Sequence, residues 1–270
     1  MSKIIVSSQW LKSHLNDENI VILDATQEEK RLKVFSKFQN LQIKGSRYFD
    51  IKNDFSDTSS RFPNTFPREV QFEKSCRKLG INTNSIIVVY DALGVFSSPR
   101  VWWLFKTFGH EQIYVLDGGL PDWVRNGFLT ELFQKNNFKK GNFKAKLNSG
   151  NIWFFKDIKT NVKNNKALVL DARSKERFQS LVAETREDLR SGNIPNSVNL
   201  PYTDVLNNGK FKSKTALEEI FATFDQSKSF VFSCGSGITA CILLMANELI
   251  YDNKKVIYDG SWTEFGTLEK

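Results

Sequence analysis

Segments of the N-terminal half of this 270-residue chain recur, in the same order, in the C-terminal half. The matched pairs are 21–25 with 168–172, 44–49 with 194–199, 87–91 with 230–234, and 115–123 with 257–262. The offset is 147 residues between Asp24 and Asp171 and 143 residues between Asp91 and Cys234. Four matches at a nearly constant offset predict two copies of one structural unit.

Each half alternates apolar runs of four or five residues with turns and segments of helical character. This alternation predicts an α/β fold in which a parallel sheet is flanked by helices on both faces. The stretch from Lys135 to Gly150 is rich in Asn, Lys and Gly, which is typical of a linker. We therefore predict a first domain over residues 1–135, a linker over 136–150 and a second domain over 151–270.

The second half carries a cysteine, Cys234, shortly after the apolar run 230–232. Gly235 and Gly237 follow and allow a tight loop, and a helix-favouring stretch begins at Ala240. The N–H groups of such a loop and helix N-terminus create a positive potential, which favours a thiolate. Cys234 is therefore predicted to be a nucleophile or an anion carrier.

Other sites built on a glycine-rich loop do not fit this segment. A P-loop requires Gly-Lys-Ser/Thr after its glycines, and that sequence is missing here. A nucleophilic Ser236 would need glycines at the positions of Cys234 and Ile238. A cysteine-based phosphatase would need an arginine where Ala240 stands, and three widely spaced cysteines with two histidines disfavour zinc. An inert, buried Cys234 remains the alternative.

The first half lacks the thiol at the corresponding position. Asp91 stands there, and the following loop, 92–100, is longer and has no paired glycines. We predict that the first half is non-catalytic and serves as scaffold and as one wall of a cleft. The chemistry is then expected at the carboxyl ends of the parallel strands of the second half, where ligands bind in open α/β sheets.

The amino-acid composition limits which binding partners and which cellular compartment we expect for this protein. The net charge is +8, but the lysines are scattered singly, which favours a solvated surface over nucleic-acid binding and suits a small anionic substrate. Cys76, Cys234 and Cys241 have no disulfide spacing, so we expect a cytoplasmic protein. No apolar run is long enough to span a membrane, and the N-terminus has no signal-peptide pattern.

The chain resembles the two-domain rhodanese-type sulfurtransferases over nearly its whole length. The resemblance lies in the paired Leu-Asp-Ala runs and in residues 98–103, 116–119 and 257–262. Its most specific part is the loop 234–240, which is similar to the Cys-Gly-Ser-Gly-Val-Thr loops of members that use 3-mercaptopyruvate. Members that prefer thiosulfate carry Arg and Lys after the cysteine. The resemblance implies tandem rhodanese-like domains and a 3-mercaptopyruvate donor, with thiosulfate as the alternative.

The resemblance also implies roles for individual residues. Cys234 would attack the donor sulfur, keep it as a persulfide and release pyruvate, while Ser236 would help to carry a proton to the leaving enolate. Arg177 and Arg186 occupy the positions at which the family binds the substrate carboxylate and keto oxygen. The other loop residues implied to contact the donor are Gly235, Gly237, Ile238 and Thr239.

Alternatives stay open for each of these implied roles. Ser236 could instead form a loop-capping hydrogen bond. Arg177 and Arg186 could instead join surface ion pairs, because four acidic residues lie near them: Glu176, Glu184, Glu187 and Asp188. The family implies no metal or cofactor, and the acceptor would be a thiol, a dithiol protein such as a thioredoxin, or cyanide. A catalytically idle tandem domain that carries sulfur or binds a partner is the alternative of another class.

One departure from the family concerns a histidine. Many members that use 3-mercaptopyruvate have a histidine in the first-domain loop after Phe-Asp-Ile, whereas this chain has Asn64 at the matching place. The histidines present, His14 and His110, fall in no such motif, and Asp50 is a weak candidate for a polar role. A histidine general base is therefore not expected.

Overall fold

The computed structural model describes residues 4–33, 38, 40–186 and 188–269. It divides into two compact units, each described here by itself. Unit 1 comprises residues 1–58, 66–148 and 208–211, and unit 2 comprises 59–65, 149–207 and 212–270. The short segments 59–65 and 208–211 thus group with the opposite half of the chain.

The elements of the first half are seven strands and five helices within the described residues. The strands are β1 Ile5–Val6, β2 Ile20–Asp24, β3 Leu41–Ile43, β4 Arg47–Tyr48, β5 Ile86–Tyr90, β6 Ile113–Leu116 and β7 Thr130–Leu132. The helices are α1 Ser8–Ser13, α2 Glu28–Lys33, α3 Glu69–Lys78, α4 Ser98–Thr107 and α5 Gly119–Arg125.

The second half has a similar set of elements. The strands are β8 Ile152–Trp153, β9 Ala167–Asp171, β10 Ser197–Asn199, β11 Leu206–Asn207, β12 Lys210–Phe211, β13 Ser229–Ser233 and β14 Lys255–Tyr258. The helices are α6 Phe155–Asn164, α7 Lys175–Phe178, α8 Lys214–Ala222, α9 Ala240–Glu248 and α10 Ser261–Leu268. Short 3-10 turns cover Ser149–Asn151 and Tyr202–Val205.

Each unit contains a parallel sheet, and the two sheets have the same strand order. The order is β1-β6-β5-β2-β4 in unit 1 and β8-β14-β13-β9-β10 in unit 2. Strands that are buried on both faces need continuous apolar runs, and these are the runs that recur in the sequence. The matched segments therefore occupy equivalent strands of the two sheets.

Helices flank both faces of the unit 2 sheet. On one face, Val231 packs in a cluster with Ile158 of α6 and Trp262 of α10. The neighbouring residue Phe230 points to the other face, because successive side chains of a strand alternate, and its ring lies 6.3 Å from that of Phe221 on α8. The predicted α/β class with parallel sheets and helices on both faces is confirmed.

Both Leu-Asp-Ala runs end a strand with a buried carboxylate that is paired with an arginine. Asp24 accepts the Thr26 N–H at 2.9 Å and pairs with Arg31 at 2.6 Å. Asp171 accepts the Arg173 N–H at 2.9 Å and pairs with its guanidinium at 2.8 Å. The shared aspartates thus fix the start of the loop that follows each strand.

Within the described residues, no helix combines the length and the apolar composition that crossing a bilayer requires.

Candidate active site

The loop 234–239 connects β13 to α9 in unit 2. β13 ends at Ser233, and α9 begins at Ala240, the residue that the sequence predicts. The loop bends through Gly237, whose φ of +78° is disfavoured for residues with a side chain. Cys234 therefore lies at the carboxyl end of an interior strand, just before a helix N-terminus, and is 1% exposed.

The Cys234 sulfur is contacted by a backbone amide and by a hydroxyl. The Gly237 N–H donates to Sγ at 3.1 Å, and the Ser261 hydroxyl lies 3.9 Å from Sγ. Ser261 Oγ also accepts the Cys234 N–H at 3.1 Å, and its proton is within reach of the Tyr258 carbonyl at 3.0 Å. Donors of this kind stabilise a sulfur anion more strongly than a neutral thiol.

The first turn of α10 holds the backbone of this loop. The Trp262 N–H donates to the Cys234 carbonyl at 2.9 Å, and the Thr263 N–H donates to the Gly235 carbonyl at 2.9 Å. The Thr263 hydroxyl also donates to the Gly235 carbonyl. Three hydrogen bonds thereby hold the loop against α10 directly beside the thiol.

The sequence analysis did not identify Ser261, the first residue of α10, as a partner of Cys234. The φ of Ser261 is +51°, a left-handed value that costs a residue with a side chain about 1 kcal/mol. The matching residue of the first half is Gly119, with φ of +52°. A serine at a position that suits glycine was the available signal, because strained backbone collects at functional sites.

Arg177 lies against the loop and is also an ion-pair member. A Cβ placed on Gly235 would be 3.2 Å from its Nη2 atom. Its Nε donates to Glu184 at 3.2 Å, and its Nη2 makes a shorter contact with the same carboxylate oxygen. The ion pair that the sequence analysis considered is therefore present, and the same guanidinium lies beside Gly235, while binding of a substrate by Arg177 stays a prediction. Glu187, also named there, lies outside the described residues.

Glu184 joins Arg177 to a second arginine that the sequence interpretation missed. The Glu184 side chain is 1% exposed and accepts Arg173 Nη1 at 2.7 Å. Arg173 also pairs with Asp171 at the end of β9 and donates to the Gly192 carbonyl at 2.9 Å. Three consecutive ion pairs thus link Asp171, at the end of β9, to Arg177: Asp171–Arg173, Arg173–Glu184 and Glu184–Arg177.

Arg186 reaches the same loop through a hydroxyl. Its Nη1 donates to Thr263 Oγ1 at 2.9 Å, and that hydroxyl donates to the Gly235 carbonyl. Burial and the positive charge of Arg177 lower the pKa of Arg186 from its ordinary value, while the negative charge of Glu184 opposes this shift. Arg177 and Arg186 therefore converge on the residue next to Cys234.

Ser236 is contacted by Asn64, a residue of the segment 59–65 that groups with unit 2. Asn64 Nδ2 donates to Ser236 Oγ at 3.0 Å and to the Ser236 carbonyl at 3.3 Å. The sequence analysis identified Asn64 as the residue at the family's histidine position. It did not predict its partner, because the two residues are 172 positions apart.

The last two residues of the loop lead into the helix. Ile238 is buried, and its carbonyl accepts the Cys241 N–H at 3.2 Å. The Thr239 carbonyl accepts the Ile242 N–H at 3.1 Å. The Cys241 thiol is buried and donates to the Gly237 carbonyl at 3.4 Å, so it supports the loop from the helix side.

The histidines and Asp50 belong to unit 1 and have local partners there. His14 stacks on Trp10 with ring centroids 4.0 Å apart, and His110 Nε2 lies 2.9 Å from the Ser85 carbonyl. Asp50 accepts hydrogen bonds from the backbone and side chain of Asn53.

The carboxyl group of Asp91 in unit 1 is surrounded by hydrogen-bond donors of the loop that follows it. Its Oδ2 accepts the N–H groups of Phe96, Ser97 and Ser98 at 2.9 to 3.0 Å and the Ser98 hydroxyl at 2.7 Å. Its Oδ1 accepts the Leu93 N–H at 3.0 Å. Burial raises the pKa of the Asp91 carboxyl, and these donors oppose that shift. In unit 1 the donors at the N-terminus of α4 are therefore already occupied by a side chain of the protein itself.

The fold and the thiol at a helix N-terminus define a class of parallel α/β proteins with a cysteine loop, and comparison with known proteins identifies the family. The model of the rhodanese-like domain matches residues 7–126 and 155–267. The chain therefore belongs to the rhodanese-like family.

Its relatives match it over nearly the full length. It is 35% identical to the 3-mercaptopyruvate sulfurtransferase of Escherichia coli strain K12, over 97% of this chain and 94% of that protein. It is 33% identical to the mitochondrial thiosulfate/3-mercaptopyruvate sulfurtransferase 1 of Arabidopsis thaliana, over 98% and 76%. The crystal structure of SseA from Escherichia coli superposes with a TM-score of 0.85 at 33% identity, over 96% of this chain and 98% of that one. The predicted family, fold class and sulfurtransferase activity are confirmed.

A first prediction concerns Gly237. Replacing it with alanine strains the left-handed turn by about 1–2 kcal/mol and displaces the N–H that contacts Cys234 Sγ. Gly237→Ala is expected to lower kcat for sulfur transfer about tenfold. Gly45, which has the same φ of +78° and open space around it, provides the matched control. Gly45→Ala should lose similar stability in urea denaturation and keep its kcat, and equal losses of kcat would contradict the assignment.

A second prediction concerns Asp91. Asp91→Ala leaves several N–H groups of unit 1 without their acceptor, and each such buried group costs about 1–3 kcal/mol. We expect the free energy of unfolding to fall by at least 2 kcal/mol, measured by urea denaturation. The kcat per folded molecule should stay within about twofold of wild type. A tenfold loss of kcat in the folded variant would show that unit 1 takes part in the chemistry.

Proposed function

We propose that this protein transfers the sulfur of 3-mercaptopyruvate to a thiol acceptor through a persulfide on Cys234. The observation that carries this proposal is the convergence of Arg177 and Arg186 on Gly235, next to the buried thiol. A 2-oxo acid presents a carboxylate and a keto oxygen, and guanidinium groups match both. The names of the relatives supply the donor, and the arginines supply a chemical reason for it.

The first half-reaction forms the persulfide. The Cys234 thiolate attacks the sulfur of 3-mercaptopyruvate, and the carbon–sulfur bond breaks with its electron pair passing to the enolate of pyruvate. The thiol proton of the substrate ends on the enolate carbon, which gives pyruvate, and the outer sulfur stays on Cys234 as an anion. The Gly237 N–H and the N-terminus of α9 would stabilise that anion.

The second half-reaction resets the enzyme. A thiol, a dithiol protein such as a thioredoxin, or cyanide takes the outer sulfur and returns Cys234 as a thiolate, in a ping-pong cycle. No step of this sequence calls for a metal or an organic cofactor. Residues 1–135 would act as scaffold, because Asp91 replaces the nucleophile there. The free thiols of Cys76 and Cys241 fit a reducing compartment such as the cytoplasm.

Thiosulfate is the second candidate donor, since the name of the Arabidopsis relative includes it. A doubly charged donor would gain from cations inside the loop, but Ser236, Ile238 and Thr239 are neutral. The positive charges stand beside the loop, on Arg177 and Arg186. This placement favours a donor whose charge lies several bonds away from the transferred sulfur.

The direct test compares the two donors. Pyruvate release from 3-mercaptopyruvate with a thiol acceptor is measured beside thiocyanate formation from thiosulfate and cyanide. We expect faster turnover of 3-mercaptopyruvate and loss of both activities in Cys234→Ser, because serine cannot hold a persulfide. If only thiosulfate were turned over, thiosulfate would be the donor and the proposal of 3-mercaptopyruvate would be wrong. Absence of turnover with either would leave a sulfur-carrier or binding role.

The arginines should control donor affinity. Arg177→Ala and Arg186→Ala each remove a charged hydrogen-bond donor worth about 1.5–3 kcal/mol, so kcat/KM for 3-mercaptopyruvate should fall about 10- to 100-fold. Most of the loss should be in KM, because the carboxylate is bound in the ground state. Arg125→Ala, which removes an exposed arginine of unit 1, is the charge control. If all three variants had equal effects, Arg177 and Arg186 would contribute only to the net charge of the protein and would not bind the donor directly.

A further inference from the structure

The hydrogen bond between Asn64 and Ser236 determines whether the serine hydroxyl accepts or donates in this contact. A hydroxyl has one proton to donate and two lone pairs to accept with. Asn64 Nδ2 is a donor only, and it lies 3.0 Å from Ser236 Oγ. The bond therefore occupies a lone pair of the hydroxyl, and the Ser236 proton is not used in it.

The same asparagine also holds the backbone of the loop. Its Nδ2 reaches the Ser236 carbonyl at 3.3 Å, so one amide group fixes both the main chain and the hydroxyl of this residue. Asn64 has a φ of +58°, a conformation that asparagine tolerates better than most residues with a side chain. Because an amide does not titrate near neutral pH, this arrangement does not change with pH.

We propose that Asn64 is a positioning residue that prepares the Ser236 hydroxyl to carry the proton of the mercaptopyruvate reaction. This inference rests on the proposed function. Ser236 gives its proton to the enolate carbon of the leaving pyruvate and takes the proton of the former substrate thiol from the outer sulfur. The serine is unchanged, the persulfide is left as an anion, and no further reactant is required.

The proposal separates the two sulfur donors. Pyruvate leaves as an enolate and needs a proton on carbon, whereas sulfite leaves thiosulfate as a stable anion and needs none. Asn64 and Ser236 should therefore matter for the first donor and much less for the second. A residue that merely supports the loop would affect Cys234, and with it both donors, to the same extent.

The experiment measures single-turnover sulfur transfer to Cys234 from each donor in the full chain. Asn64→Ala is expected to slow pyruvate release about tenfold more than it slows sulfur transfer from thiosulfate, because loss of the bond to the Ser236 carbonyl affects both donors and loss of the bond to the hydroxyl affects only the first. In a Ser236→Ala background, Asn64→Ala should lose its preference for the first donor and slow both donors equally, because the hydroxyl on which that preference depends is already missing. Asn196→Ala is the matched control: Asn196 is also left-handed in unit 2, and its amide also donates to a carbonyl.

The pH profile provides a second readout. Wild type and Asn64→Ala should show no step in the rate of pyruvate release near pH 6.5, whereas Asn64→His should introduce one there, because imidazole titrates in this range. Equal slowing with both donors, a donor preference of Asn64→Ala that persists in the Ser236→Ala background, or no step in Asn64→His would each overturn the inference. If wild type released no pyruvate, the proposed function would fail and this inference with it. Normal wild-type release combined with a fully active Asn64→Ala would overturn the inference alone.

Discussion

The site of unit 2 depends on the neutralisation of two buried carboxylates. Asp171 and Glu184 are almost completely enclosed, and a buried charge is costly unless an opposite charge meets it. Arg173, itself 1% exposed, lies between them and satisfies both. The two ion pairs of Arg173 therefore hold Glu184 close to Asp171, the last residue of β9. Glu184 also pairs with Arg177, and this ion pair holds the Arg177 guanidinium beside Gly235 in the loop of Cys234.

Each unit places an acidic side chain just before a helix N-terminus, and the two side chains differ. In unit 1 this residue is Asp91, whose carboxyl group is surrounded by donors of its own loop at the start of α4. In unit 2 the corresponding residue is Cys234, at the start of α9. The two sheets share their strand order, so under the proposed function the two sites differ in one side chain and in the loop after it. A carboxylate fills the position permanently, whereas a thiolate can form and break bonds to sulfur.

The placement of charge around Cys234 also explains why the loop itself can be neutral. Backbone N–H groups act over a short range and suit an anion that forms on the cysteine. Guanidinium groups suit an anion that arrives with the substrate, and these stand beside Gly235 on separate segments. The contacts of Ser261 and Thr263 hold the loop against the first turn of α10. Asn64 adds a neutral, non-titrating partner for Ser236.

The sequence by itself determined the α/β class, the duplication and the loop of Cys234. Those features depend on local periodicity, on glycine at a left-handed turn and on a helix-favouring stretch, and all of these are readable from neighbouring residues. Only the tertiary structure decided the partners of that loop. Ser261 and Thr263 lie 27 and 28 residues from their partners, and Asn64 lies 172 residues from Ser236. Side-chain contacts over such separations depend on how the strands and helices pack, which no local pattern encodes. For the same reason, the sequence left Arg177 between an ion pair and a substrate site, and the fold gives it Glu184 on one side and Gly235 on the other.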